Sequence, residues 1–277
     1  MNNNSGDIRP IGVFDSGVGG LSVLRAIRAQ IPNESLLYFG DQGHVPYGPR
    51  PLAEVREFSE AITRFLLDLD AKLIVVACNT ASAAALHFLR IKFPKIDFVG
   101  MEPAVKPAAE ITRTGVVGVL ATPATFQGAL YASVVERFAG NVTLLQDTCT
   151  GLVQQIELGL LDGKETRVIL ESALNPMLKK GIDTVVLGCT HYPFVIPLIQ
   201  EIVGPGVRVI DPAPAVARQV ARLLDATGRR LVYPRSNAPC FYTSGEGPRF
   251  EAMLRILGSQ IGEVREVTWE QNEIRTK

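Results

Sequence analysis

Two apolar runs that each end on a thiol constrain this chain more than any other feature. Leu73-Ile74-Val75-Val76-Ala77 leads into Cys78-Asn79-Thr80-Ala81-Ser82, and Thr184-Val185-Val186-Leu187-Gly188 leads into Cys189-Thr190-His191-Tyr192-Pro193. Short continuous apolar runs of this kind read as strands buried on both faces. In α/β proteins, chemistry sits at the carboxyl ends of such strands. The two thiols belong to a longer repeat. Gly12-Val13-Phe14-Asp15 aligns with Gly118-Val119-Leu120-Ala121, and Asp41 with Asp147, both at an offset of 106 (118 − 12 and 147 − 41). Cys78 aligns with Cys189, and Pro103-Ala104-Val105 with Pro214-Ala215-Val216, both at an offset of 111 (189 − 78 and 214 − 103). Four ordered matches on two nearly equal offsets predict two similar half-domains of βαβ type, each with a mostly parallel sheet.

The intervening segments fit that scheme. Ile11 to Phe14 reads as a strand, Asp15-Ser16-Gly17-Val18-Gly19-Gly20 as a turn, and Leu21 to Ile31 as a helix with apolar residues at 21, 24, 27 and 31. The turn lacks the full GxGxxG pattern, and Asp15 would repel a phosphate, so substrate contact or a structural turn using glycines at positive φ is expected there. Leu36 to Phe39 reads as a strand, Val45 to Pro49 as a rigid loop, and Val55 to Leu69 as an amphipathic helix. In the second half a helix is expected to run through Arg137, with others at Leu152–Leu158 and Thr166–Lys179. After Asp211-Pro212-Ala213 come a helix from Ala215 to Leu224, a strand and turn at Cys240–Gly245, and a helix carrying Phe250, Met253, Leu254 and Leu257. This tail is too short for a third domain and is expected to complete the first half. The predicted organisation is residues 1–105 plus 214–277 in one half and 106–213 in the other.

Composition narrows the partners. Lys+Arg and Asp+Glu balance at 28 each in 277 residues, which leaves no basic footprint for nucleic acid. No apolar run approaches the ~18 residues of a membrane span. The four cysteines form no CxxC pair and no signal-peptide pattern precedes them, so they read as reduced, cytoplasmic thiols. Three scattered histidines and unpaired cysteines give no metal-ligand spacing, so no metal is expected. The opening, Met1 to Gly6, is polar and expected to be unordered.

If the halves pack face to face, both strand-end thiols open on one cleft. One thiol can then remove a proton from a carbon while the other delivers one from the opposite side, which inverts a stereocentre. A free thiol with a pKa of about 8.5 is close enough to neutrality for both roles. His191 lies two residues past Cys189 and can share its proton, and Asp15 ends a neighbouring strand within expected reach of Cys78. Hydroxyl and amide groups gather at the same ends: Ser16, Tyr47, Asn79, Thr80, Ser82, Thr122, Thr125 and Thr190. With backbone N–H groups they suit a carboxylate ligand; for Ser82 and Thr125, helix capping is an equal alternative. Cys149 and Cys240 lack such surroundings and read as structural. His44 and His87 read as ordinary surface or loop histidines.

These motifs resemble the glutamate racemase family of the aspartate/glutamate racemase superfamily. The resemblance rests on Asp15-Ser16-Gly17-Val18-Gly19-Gly20-Leu21-Ser22-Val23, Pro46-Tyr47-Gly48, the two thiol motifs, Gly118 to Thr122 with Thr125, and Asp211-Pro212-Ala213, with a weaker echo in Phe241 to Gly245. It implies an isomerase of two flavodoxin-like halves around a central cleft. Such an enzyme interconverts L- and D-glutamate without a cofactor and supplies D-glutamate for peptidoglycan. Carried over by position, Cys78 and Cys189 are the acid/base pair, supported by Asp15 and His191. By the same resemblance Ser16, Tyr47, Gly48, Asn79, Thr80, Thr190 and His191 contact substrate, with Thr122 and Thr125 as additions. The family's habit also implies that Cys78 deprotonates D-glutamate and Cys189 L-glutamate, and that the enzyme is a homodimer. A Cys-Pro segment usually leads to a glutamate near the second thiol. Here Cys149-Thr150 begins it, and Glu157 falls in register.

Three rival readings follow from the same residues. Another superfamily member, such as aspartate racemase, would prefer aspartate. A binding module would hold its ligand without exchanging the Cα proton. A thiol redox protein would pair Cys78 with Cys189, but the absence of CxxC argues against it.

Overall fold

The computed structural model describes residues 6–233, 238–259, 262–271 and 273–277; of the polar opening, Met1 to Ser5 lie outside them. Strand and helix alternate through β1 (Ile11–Asp15), α1 (Leu21–Gln30), β2 (Leu36–Gly40), α2 (Leu52–Asp68), β3 (Leu73–Val76), α3 (Asn79–Lys92) and β4 (Asp97–Gly100). Then α4 (Val105–Ile111) leads to β5 (Val116–Ala121), α5 (Pro123–Gln127), α6 (Ala129–Phe138), β6 (Thr143–Asp147), α7 (Leu152–Glu157), α8 (Lys164–Lys179), β7 (Thr184–Gly188), a 3-10 turn (Tyr192–Val195), α9 (Ile196–Val203) and β8 (Arg208–Ile210). The chain closes with α10 (Ala213–Ala226), β9 (Cys240–Thr243), α11 (Gly247–Ile256), β10 (Glu263–Glu270) and β11 (Glu273–Thr276).

The strands form two sheets. One runs β11-β10-β9-β2-β1-β3-β4 and the other β6-β5-β7-β8. All pairings are parallel except β10 with β11. The order 2-1-3-4 recurs as 6-5-7-8, the flavodoxin-like arrangement, so the sequence repeat corresponds to a repeated topology. The central strands β1, β3 and β7 are buried at every residue, as expected where helices cover both faces of a parallel sheet. On one face of the first sheet, Leu24 and Ile27 of α1 pack with Val216, Val220 and Leu224 of α10. On the other, Ile62 and Leu66 of α2 pack with Leu86 and Leu89 of α3. Helices α7, α8 and α9 cover one side of the second sheet, and α4 and α6 the other.

This order places the site. In a doubly wound sheet the crevice forms where neighbouring strands send their connections to opposite faces. In the first sheet that point lies between β1 and β3, whose ends carry Asp15 and Cys78; in the second it lies between β5 and β7, whose ends carry Thr122 and Cys189. The two switch points face one another, joined by a hydrogen bond from Thr190 to Asp15 and a hydroxyl contact between Thr80 and Thr122.

Some elements differ from the sequence expectation. The helix expected through Arg137 is broken at Gly128, which is extended (φ −71°, ψ 138°) between α5 and α6. A Cβ at Gly128 would stand 2.7 Å from that of Ala83 on α3, so crowding by the first half requires a glycine at the break. The helix expected from Thr166 starts at Lys164, and that expected from Ala215 starts at Ala213. β10 and β11 have no counterpart in the sequence reading; they extend the edge of the first sheet beyond β9.

Candidate active site

Cys78 and Cys189 line one cavity together with Ser16, Tyr47, Asn79, Thr80, Thr190 and His191. Gly48, Thr122, Pro46 and Val153 complete the wall.

Cys78 is the N-cap of α3. Its sulfur accepts the Ala81 N–H at 3.4 Å, and its thiol lies 3.9 Å from Ser16 Oγ. Burial, followed by the charge of Asp15, pushes this thiol well above its ordinary pKa. Cys78 is therefore held as a neutral thiol, ready to give a proton. Asp15 acts on it by charge and not by a hydrogen bond. One carboxylate oxygen accepts the Gly17 N–H at 2.9 Å and the other the Thr190 hydroxyl at 2.9 Å. The expected influence of Asp15 on Cys78 thus runs through its charge, with its oxygens bonded to Gly17 and Thr190. Burial raises Asp15 above the usual carboxylate range against the pull of His191 and these donors.

The second thiol has a different environment. Cys189 Sγ lies 3.8 Å from His191 Nδ1, and His191 Nε2 lies 2.7 Å from Glu157 Oε1. Burial opposes a charged imidazole, yet the contacts with Cys189 and Glu157 raise His191 well above its ordinary value. Burial likewise opposes the Glu157 carboxylate, but His191, the Val18 N–H and Gln42 hold it below its ordinary value. The pair is an imidazolium and a carboxylate, and the imidazolium provides a counter-charge for a thiolate formed on Cys189. Thr150, in place of the family's Pro, bonds Thr148 at 3.1 Å and does not displace Glu157 from His191.

The glycine-rich turn brings the halves into contact. A Cβ on Gly17 would lie 2.0 Å from Glu157 Oε1, and one on Gly19 would lie 2.5 Å from His191 Nδ1. Neither glycine has positive φ, so the expected conformational reason is replaced by close approach. Ser22 adds a bond to the Thr190 carbonyl at 3.1 Å.

Other placements vary. Thr122 caps α5 and its hydroxyl lies 2.9 Å from that of Thr80 and 3.0 Å from that of Thr125, which is buried. Ser82 caps nothing: it donates to Val76 and accepts from Met101 N–H, tying β3 to the end of β4. Tyr47 lines the cavity, but its hydroxyl donates to Asp41 at 2.5 Å. Cys149 is buried among α7 and α8, and Cys240 is half-buried on β9. His44 is no free loop histidine: Nδ1 lies 2.9 Å from Asp41, and its ring stacks on Phe58. His87 is exposed.

Asn79 stands apart. Its side chain is buried in the cavity wall, and neither its Nδ2 nor its Oδ1 finds a protein partner. Buried amides are normally satisfied, and this one is left open to a bound polar group. Sequence reasoning missed Asp41 and Gln42 as contributors. Their position just after β2, at the carboxyl edge of the sheet, was the available signal. Among the described residues no group of His, Cys, Asp and Glu is placed to hold a metal ion, and no helix is long and apolar enough to cross a membrane.

Comparison with known proteins is consistent with this geometry. The sequence profile of the Asp/Glu/Hydantoin racemase family matches residues 11–220. The glutamate racemase of Pseudomonas paraeruginosa is 52% identical over 91% of this chain and 95% of its own length. A glutamate racemase from Bacillus anthracis superposes with a TM-score of 0.83 at 33% identity, covering 95% of this chain and 98% of that one. The glutamate racemase of Francisella tularensis, solved in complex with D-glutamate, superposes with a TM-score of 0.82 at 30% identity over 95% of this chain and 98% of that one.

Proposed function

Because this chain belongs to the Asp/Glu/Hydantoin racemase family, we infer that it interconverts L- and D-glutamate by proton transfer at Cα between two thiols, Cys78 and Cys189. The observation that carries this reading is the placement of both sulfurs on one small cavity, each at the switch point of its own sheet and each with its own electrostatic support.

The supports differ in kind, and the difference suits the reaction. In the resting site Cys78 is a protonated thiol, held so by burial and by Asp15. Cys189 faces a cationic imidazole that steadies a thiolate. A substrate whose Cα–H points at Cys189 loses its proton there and receives one from Cys78 on the opposite face. Turnover leaves the two protonation states exchanged, and the other enantiomer is processed in reverse. With the family's polarity, L-glutamate is deprotonated by Cys189 and D-glutamate by Cys78. The Cα proton is weakly acidic, so the developing negative charge needs fixed donors. The Asn79 amide, the Thr80 hydroxyl and the N–H groups at the start of α3 are available for the substrate carboxylate, while the Thr190 hydroxyl is committed to Asp15. Asp15 and Glu157 supply negative charge for the substrate ammonium.

The enzyme acts in the cytoplasm and feeds D-glutamate to peptidoglycan. A second copy of the chain is its expected partner, testable by light scattering. For the activity itself, Cys78→Ala and Cys189→Ala should each abolish racemisation of both enantiomers in a chiral assay. Substantial turnover by both variants would overturn the two-thiol reading, and faster turnover of aspartate than glutamate would overturn the substrate.

A further inference from the structure

We propose that Gln42, seated by Thr243, is a positioning residue for the Cys189 side of the reaction; the inference rests on the two-thiol reading above. Glu157 uses both carboxylate oxygens. Oε1 takes the Val18 N–H at 2.8 Å and lies against His191, while Oε2 takes the Gln42 side-chain amide at 3.2 Å. An amide can present either end, and here the neighbouring strand decides which. The Thr243 hydroxyl at the end of β9 donates to Gln42 Oε1 at 3.1 Å and itself accepts the Gly245 N–H at 3.0 Å. With its oxygen held by Thr243, Gln42 can turn only its NH₂ toward Glu157. The opposite orientation would set a carbonyl oxygen against a buried carboxylate.

The turn that carries Thr243 is fitted to this purpose. Ser244 Oγ accepts the Gly43 N–H at 2.9 Å and donates to Asp41 at 2.6 Å, so residues 243–245 clasp residues 41–43. A Cβ on Gly245 would stand 2.9 Å from Gln42 Cβ and 3.2 Å from its Oε1; only glycine leaves the amide its place. The weaker echo at Phe241 to Gly245 thus has a physical meaning: it fixes a chain of contacts running Thr243, Gln42, Glu157, His191, Cys189. Cys78 has no equivalent, since the oxygens of Asp15 are taken by Gly17 and Thr190. The hydrogen bonds of Gln42 therefore lead to the Cys189 side, and its main effect falls there.

One-sidedness is measurable in a racemase. The substrates are mirror images, so their equilibrium constant is one and kcat/KM must change equally in both directions. The primary isotope effect is not so constrained. A variant that slows proton transfer at Cys189 makes that step more rate-limiting. The effect of a Cα deuteron then rises in the direction in which Cys189 removes it, and not in the other.

The experiment compares Gln42→Met, Thr243→Val and Thr243→Ser in the full chain, using Cα-deuterated L- and D-glutamate. Gln42→Met and Thr243→Val should lower kcat/KM by about tenfold, the loss of one hydrogen bond to a charged group. Each should raise the isotope effect in one direction only, that of L-glutamate on the family's polarity. Thr243→Ser retains the hydroxyl and should match wild type. An unchanged isotope effect in Gln42→Met, a rise in both directions, or a Thr243→Ser loss as large as that of Thr243→Val would overturn the proposal while leaving the racemase reading intact. A wild-type chain without glutamate turnover would overturn that reading and this proposal with it.

Discussion

The hydroxyl of Thr190, one residue past the second thiol, donates to the Asp15 carboxylate beside the first at 2.9 Å. The two supports are thus joined across the cleft. Thr190→Val removes a donor that favours the ionised form of Asp15, which burial already raises. The acid limb of the kcat/KM profile should move to higher pH. Activity should fall by roughly tenfold or more, since a buried carboxylate left without its donor costs about 1–3 kcal/mol. Rates measured across pH for Thr190→Val and Thr190→Ser check this: Ser should restore the wild-type profile, and an unshifted acid limb in Val would contradict the account.

The Glu157–His191 pair predicts a pH window. His191 is raised in the folded state, so its contribution to stability is complete below its ordinary value of 6.5 and is lost as pH rises through the raised value. Glu157 is depressed, so its contribution is complete above its ordinary value of 4.5 and is lost as pH falls through the depressed value. The pair contributes fully between 4.5 and 6.5. Glu157→Gln should destabilise the protein by about 3 kcal/mol within that window, by urea unfolding, because it leaves a buried imidazolium unpaired. The loss should shrink on the acid side, where Glu157 becomes protonated. The alkaline limb of activity should move to lower pH as His191 loses its carboxylate.

Asn79 should separate binding from folding. Its amide has no protein partner to lose, so Asn79→Ala forfeits only packing and should change the urea midpoint little. The bound carboxylate, by contrast, should lose a donor, and KM for glutamate should rise by about tenfold. A large stability loss with unchanged KM would show that the amide serves the fold and not the ligand.

The halves, the strand ends and both thiols were legible in the sequence because parallel strands buried on both faces leave continuous apolar runs. A repeated order of such runs then repeats the switch point. Glu157 was legible only by register from Cys149, and Thr150 left the sequence signal incomplete. The roles of Gly17 and Gly19 were not legible, because their reason is a side chain from the other half, more than a hundred residues on: Glu157 for one and His191 for the other. The same holds for Gly128, crowded by Ala83, and for Gln42, whose partners come from α7 and β9. β10 and β11 carry alternating, half-exposed residues at a sheet edge, where no continuous apolar run marks a strand.

The central claim is that two opposed thiols, and not one group, move the Cα proton. It is tested most directly by supplying D-glutamate to chelator-treated wild-type protein in D₂O and measuring Cα deuterium in both enantiomers at early turnover. Two thiols predict deuterium in nearly every L-glutamate formed and almost none in the remaining D-glutamate, because the acid on the far face carries a solvent-derived proton. Deuterium entering both enantiomers at equal rates would indicate a single base serving both faces and would contradict the account.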